Sequence, residues 1–279
     1  MPVLPPFSSA SSPSSDFSAS PPAGSPPAGV VAALRAAGCV FAEEEAELIL
    51  TGARTPRELA ALVERRVAGF PLEQVLGWAG FHGLRIAVEP GVFVPRRRTE
   101  FLVDQAVARS PEASVVVDLC CGSGAVGVAL AAALGPVELH AADIDPAAVR
   151  CARHNVVPRG GTVHEGDLFD ALPGSLRGRV DILAANVPYV PTGEVGLLPP
   201  EARDHEPLVA LDGGADGLDI LRRVCAEAPD WLAPGGCLLV ETSERQAPQA
   251  LATFTRAGLT AHLAVSEDLS ANVVTGTKA

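Results

Sequence analysis

The sequence predicts an α/β fold built on a doubly wound, mostly parallel sheet, and three observations predict it. Apolar runs at Ser114–Leu119, Val137–Asp143, Thr162–Glu165, Val180–Ala185 and Cys237–Glu241 have the unbroken hydrophobicity of strands covered on both faces. Segments of helical period, Ala125–Ala133, Pro146–Asn155 and Leu218–Ala228, separate most of those runs, as crossover connections require. The last two runs, Thr260–Ser266 and Asn272–Thr277, are joined only by the short loop Glu267–Ala271. So short a loop cannot hold a parallel crossover, so these two strands pair antiparallel or part company. A sheet of five parallel strands closed by such a pair differs from the all-parallel dinucleotide fold.

From the N-terminus, residues 1–27 are almost entirely Ser, Pro, Ala and Gly, a composition that cannot offset the entropy of ordering, and a disordered tail is expected. Residues 28–77 read as a small helical domain: apolar positions at Val30–Leu34, an acidic amphipathic run Ala42–Leu50, and Thr55-Pro56-Arg57-Glu58. That last string is a capping box with proline at the first helical position. Residues 78–98 form a connector with strand character at Leu84–Val88 and Val92–Val94, and residues 99–279 form the large domain, with a further helix at Ala247–Ala257.

The chain's 279 residues carry a net charge of −12, which offers no general field for phosphate backbones or anionic lipid. No stable nucleic-acid or membrane partner is therefore expected. Six scattered cysteines lack a C-x-x-C pair, the histidines lack ligand spacing, and no metal site is expected. With no signal-peptide pattern and no apolar stretch of about 20 residues, a cytoplasmic location is expected.

Asp118-Leu119-Cys120-Cys121-Gly122-Ser123-Gly124 falls where the first parallel strand ends and a helix begins. Gly122 and Gly124 let backbone approach a ligand, and the helix N-terminus offers free N–H groups. Gly122-x-Gly124-x-x-Gly127 also satisfies the dinucleotide fingerprint, with Asp143 about 20 residues on. Three acids refine the choice of ligand: Asp118, Asp143 and Asp167 each follow a strand and fall on one carboxyl edge of the sheet. A ligand with an ammonium or sulfonium, a ribose diol and an adenine amino group gives each acid a partner, whereas a pyrophosphate meets repulsion from Asp118. S-adenosylmethionine has these groups.

After the fourth strand comes Asn186-Val187-Pro188-Tyr189. An asparagine there accepts one hydrogen of an –NH2 group through its side-chain oxygen while an adjacent backbone carbonyl accepts the other, aiming the nitrogen lone pair at an electrophile. Amide nitrogen is a poor nucleophile, so catalysis lies mainly in holding it in line with an activated methyl group. Tyr189 is expected to pack on the planar acceptor.

Together these strings resemble the HemK-type protein-glutamine methyltransferases that modify peptide chain release factors. The resemblance runs from about Val30 onward and includes Pro71–Gly77, Phe93-Val94-Pro95-Arg96 with Thr99-Glu100, the Asp118–Gly124 turn, Ala142–Pro146, Asn186–Tyr189, Glu206-Pro207 and Ala210–Leu218. It implies a seven-stranded class I S-adenosylmethionine-dependent methyltransferase, Rossmann-like with an antiparallel last strand, behind a small helical domain that grips the protein substrate. By motif position, Cys120, Cys121, Gly122, Ser123 and Gly124 cradle the methionine part of the cofactor, with Asp118 beneath them. Asp143 binds the ribose, and Asp167 with Leu168 borders the adenine. Asn186, Val187, Pro188 and Tyr189 hold the acceptor glutamine of a release factor's Gly-Gly-Gln motif, Asn186 also lying near the cofactor. A monomer is expected.

Departures from the family pattern mark a divergent member: Val187 replaces the first of two prolines, Cys120 a glycine and Arg97 a proline. Alternatives are methylation of another protein or of an exocyclic amine in nucleic acid, an NAD-dependent oxidoreductase suggested by the glycine spacing alone, and a non-catalytic binding module. Arg96-Arg97-Arg98 reads either as a solvated cluster beside Glu100 or as a contact for an acidic partner. Cys120 and Cys121 read as small buried thiols, and the histidines have no assignable role.

Overall fold

The computed structural model describes residues 28–279; the expected disordered tail lies outside the described residues. Four helices open the described residues: α1 (Ala28–Ala36), α2 (Ala42–Gly52), α3 (Pro56–Val67) and α4 (Leu72–Leu76). The cap of α3 forms as its sequence requires, with Thr55 Oγ1 accepting from Glu58 N at 3.2 Å. Glu58 reaches back one residue further than a standard capping box, accepting from Arg54 N at 2.9 Å. These helices enclose their own small core of Leu34, Cys39, Ala42, Ala46 and Ile49.

The connector differs from expectation. Its strands are β1 (Trp78–Phe81) and β2 (Leu84–Ala87), an antiparallel hairpin turned by His82 and Gly83 at φ 48° and 73°. Two successive positive φ values give the tight turn whose twist suits a hairpin. Val92 and Val94 are buried but form no strand, because Val94 N donates to the Glu206 carboxylate instead of to a neighbouring strand.

The rest is a wound sheet: α5 (Glu100–Arg109), β3 (Val115–Leu119), α6 (Ala125–Leu134), β4 (Glu138–Asp143), α7 (Pro146–Val156), β5 (Thr162–Glu165) and β6 (Val180–Ala185). There follow α8 (Pro200–His205), α9 (Leu208–Leu211), α10 (Asp219–Trp231), β7 (Leu232–Thr242), α11 (Ala247–Arg256), β8 (Thr260–Ser266) and β9 (Ala271–Thr277). The seven strands lie in the order β5-β4-β3-β6-β7-β9-β8. The first five are parallel, and β9 runs antiparallel between β7 and β8.

Successive residues of a strand face opposite sides, so this sheet carries a core on each. Val117, Leu183, Leu238 and Val240 meet Leu221, Cys225 and Phe254 of α10 and α11 on one face. Val116, Ile182 and Leu239 meet Leu102, Val126 and Leu130 of α5 and α6 on the other. The chain's one lysine, Lys278, closes the last strand onto α10 by donating to Pro229 O at 2.7 Å and Leu232 O at 2.8 Å. Among the described residues no helix is long and apolar enough to cross a membrane.

Candidate active site

The strand order β4-β3-β6 reverses the winding direction at β3, which opens a crevice at the carboxyl edge of the sheet. A cavity of about 1500 Å³ occupies it, lined by Asp118, Cys120, Cys121, Gly122, Ser123, Asp143, Asp167, Leu168, Asn186, Val187, Pro188 and Tyr189. Gly124 does not line it. At φ 76° Gly124 caps α6, and a Cβ there would stand 2.7 Å from Val156 Cγ2, so this glycine serves the packing of α6 on α7.

The three acids take different surroundings. Asp118 is 1% exposed and accepts from Gly127 N at 2.8 Å. Burial pushes its carboxyl up to about 8, against the pull of that N–H and with the Asp143 charge adding to the rise. Asp143 accepts from Gly122 N at 2.8 Å and Asp145 N at 2.9 Å, tying the glycine turn to β4, and burial also raises its pKa. Each of its oxygens retains a lone pair for a hydroxyl. Asp167, half-exposed at the rim, accepts from Arg223 Nη2 at 2.7 Å. Asp145, by contrast, is a helix cap, accepting from Ala147 N at 2.8 Å.

Two residues bordering this crevice hold left-handed backbone without being glycine: Cys120 at φ 57° and Leu168 at φ 48°. Such conformations cost about 1–3 kcal/mol and gather at ligand sites, where the turn must present its N–H groups. Desolvation pushes the thiols of the half-buried Cys120 and the buried Cys121 up, with nearby acids adding to the rise, so both stay protonated.

Asn186, just past β6, has its Oδ1 buried and without a partner, a polar atom that a ligand's N–H group would satisfy. The tetrapeptide is held from behind. Gln246 Nε2 donates to Tyr189 O and to Asp216 O, both at 2.9 Å, while its Oε1 accepts from Ser243 Oγ at 2.6 Å. A Cβ on Gly217 would stand 2.3 Å from both Gln246 Nε2 and Tyr189 O.

Sequence reasoning missed a cluster around Glu241. Glu241 accepts from Arg98 Nε at 2.8 Å, Tyr189 Oη at 3.1 Å and Thr99 Oγ1 at 2.6 Å, and Arg98 Nη2 also donates to Tyr189 Oη. Burial, with the Glu241 charge beside it, raises the Tyr189 phenol pKa, so it remains a neutral hydroxyl. The tyrosine ring is thus fixed by its hydroxyl as well as by its backbone. Arg96 is paired with Glu206 at 2.6 Å and Arg98 with Glu241 at 2.8 Å, so two members of the partly solvated arginine run tie it to distant acids. Each acidic partner lies more than 100 residues away, and the Arg-rich string itself was the only available signal.

Gly127, third glycine of the fingerprint, packs α6 close on β3, where a Cβ would stand 3.0 Å from Asp118 Cβ, and its amide donates to the Asp118 carboxyl at 2.8 Å.

A family model for the methyltransferase small domain matches residues 83–196. Among curated proteins, the release factor glutamine methyltransferase of Geobacter sulfurreducens is 42% identical over 208 residues, 73% of this chain and 72% of that protein. The 4-amino-L-phenylalanine/4-methylamino-L-phenylalanine methyltransferase of Streptomyces pristinaespiralis is 36% identical over 236 residues, 82% of this chain and 80% of that protein. Among solved structures, a methyltransferase from Pyrococcus furiosus matches with a TM-score of 0.54 at 15% identity, over 70% of this chain and 89% of that one. That likeness concerns the fold, the seven-stranded class I methyltransferase sheet with its antiparallel penultimate position filled by β9. With 42% identity spread over nearly three quarters of both sequences, the chain belongs to the release factor glutamine methyltransferase family.

Proposed function

We propose that the protein transfers a methyl group from S-adenosylmethionine to the side-chain amide nitrogen of a glutamine in a peptide chain release factor, at a Gly-Gly-Gln motif. The observation that carries this reading is the unpartnered, buried Asn186 Oδ1 in the same cavity as Asp143 and Asp167. The donor set suits the cofactor: two carboxylates for hydroxyl and amino groups, a glycine turn for close approach, and three lining arginines each paired with an acid. When bound, S-adenosylmethionine supplies the activated methyl group.

Asn186 Oδ1 and the Val187 carbonyl would each accept one N–H of the acceptor amide, turning the nitrogen lone pair toward the methyl carbon. The new C–N bond forms as the C–S bond breaks, its electron pair going to sulfur. The alkylated amide is acidic and releases its proton to water, so no strong base is required. Val187 retains the carbonyl that the role needs, and Pro188 keeps Val187 extended.

A second reading is favoured by the Streptomyces pristinaespiralis relative, whose name specifies an aromatic amine as acceptor, and which matches a larger share of this chain than the Geobacter protein does. The deciding experiment supplies labelled S-adenosylmethionine with a purified release factor, the same factor with its motif Gln changed to Ala, or 4-amino-L-phenylalanine. Label on the unmodified factor alone is expected. Label on the aromatic amine and none on the factor would overturn the glutamine reading in favour of the second.

A further inference from the structure

Glu241 of β7 lines the cavity and is 2% exposed. Ala185 of β6 lies opposite Val240, so Asn186 and Glu241 each follow that pair at one end of adjacent strands. A buried carboxylate in this cavity invites the part of a proton acceptor, but its partners give it another. Oε1 accepts from Arg98 Nε at 2.8 Å and from Tyr189 Oη at 3.1 Å, and Oε2 accepts from Thr99 Oγ1 at 2.6 Å. Three donors from two separate segments fix the carboxylate. One of them, the phenol, belongs to the Asn186–Tyr189 string proposed to hold the acceptor.

Packing alone does not account for this arrangement. Tyr189 is the chain's one tyrosine, and phenylalanine would fill the same space with no hydroxyl to satisfy. A buried ion pair is weak support for stability, since apolar residues of similar volume often serve as well, and its attested use is to select one geometry. Gln246 Nε2 places the Tyr189 carbonyl but leaves rotation about the side-chain bonds free. The hydroxyl removes that freedom. It donates to Glu241 and accepts from Arg98 Nη2, whose guanidinium carbon stands 5.8 Å from the ring centre. The far end of the ring is thus tied to β7 and to the residues just before α5, while its backbone is tied to the residue before α11.

We propose that Glu241 is a positioning residue that acts through Tyr189, holding the phenol ring in the orientation in which it lines the cavity and meets the planar acceptor. The inference rests on the glutamine reading above and deepens it. Transfer to a poorly nucleophilic amide depends on orientation, so a loosened ring lowers the rate of the bound complex more than it lowers affinity.

The test measures kcat and KM for methyl transfer to the release factor, the cofactor Kd and the thermal midpoint of wild type, Glu241→Gln, Tyr189→Phe and the double variant. With one tyrosine in the chain, isotope-labelled tyrosine also gives a single ring Cζ resonance that reports the hydrogen bond of its hydroxyl. Each single variant is expected to lower kcat about tenfold while KM and the cofactor Kd stay within about twofold, and the double variant to lose no more than either. The Cζ resonance shifts in Glu241→Gln. An unmoved resonance, wild-type kcat in either single variant, or losses that multiply in the double variant overturn the inference alone. If Glu241→Gln does not fold, Tyr189→Phe decides by itself, because it cuts the same bond from the other side and leaves Glu241 with Arg98 and Thr99. A wild-type enzyme that places no label on the factor overturns the glutamine reading, and this inference with it.

Discussion

At the scale of single residues, Asp118 shows how burial sets chemistry. Its carboxyl is lifted from an ordinary 3.8 to about 8, chiefly by desolvation. The folded state therefore holds a proton that the unfolded chain has already lost between about pH 4 and pH 8. The stability linked to Asp118 is complete below that window and is lost as pH rises through it, at up to about 1.4 kcal/mol per pH unit. The thermal midpoint of wild type should fall from pH 5 to pH 8, and Asp118→Asn, which is neutral throughout, should flatten that dependence. An unchanged slope in the variant would assign the effect to another group. The acid ladder was legible in the sequence because each acid directly follows an apolar run. What each acid does was not, since Gly127 N, Gly122 N and Arg223 reach their carboxylates only after the chain has wound.

Elements position the tetrapeptide. The residue before α11, Gln246, and the segment between α9 and α10, with Asp216 O and Gly217, are two separate pieces that meet at the Tyr189 carbonyl. Gly217 sits at φ 76°, where a side chain is strained and where its Cβ would displace Gln246 Nε2 or Tyr189 O. Gly217→Ala should therefore cost about 1–3 kcal/mol of stability and reduce methyl transfer at least tenfold, because the Asn186–Tyr189 loop proposed to hold the acceptor loses its support. Urea unfolding together with the labelled-methyl assay checks both parts, and a stable, fully active variant would remove the clamp from the argument. The capping box of α3 was readable from four consecutive residues. The β1–β2 hairpin was missed because its turn, His82-Gly83, lacks the usual Asn or Asp, although Gly83 between two apolar runs was the available signal.

Across the whole molecule, the helical layer grips the segment that follows the tetrapeptide. Arg66, buried against Glu45 at 2.6 Å, also reaches Glu201 of α8 at 2.7 Å. Phe70 stacks on His205 with ring centres 4.2 Å apart, and Gln74 Nε2 donates to Val92 O at 3.0 Å and to His205 O at 3.3 Å. Glu206 then takes Arg96 and Val94 N. Residues from Val190 to Glu206 are thereby anchored at their far end by the first helices of the chain. Arg66→Met leaves Glu45 buried without its partner and should lower stability by about 3 kcal/mol. Adding Glu45→Leu should recover much of the loss in thermal unfolding, since both charges are then gone; a double variant as weak as the single one would place the cost elsewhere.

The sequence by itself determined the winding of the sheet, its antiparallel end, the glycine turn, the acids at the strand ends and the Asn186–Tyr189 string. All of these are local patterns: strand-length apolar runs, a loop too short for a crossover, and residue types at fixed offsets from a strand end. Only the tertiary structure decided how Arg98, Thr99, Tyr189 and Glu241 meet, that Gln246 holds the Tyr189 carbonyl, and that Thr242 and Asn186 each have an oxygen without a partner. Those relations depend on β7 lying beside β6 and on which side chains find partners there. Residues more than 50 positions apart carry no mark in a single sequence of the neighbours that folding will give them.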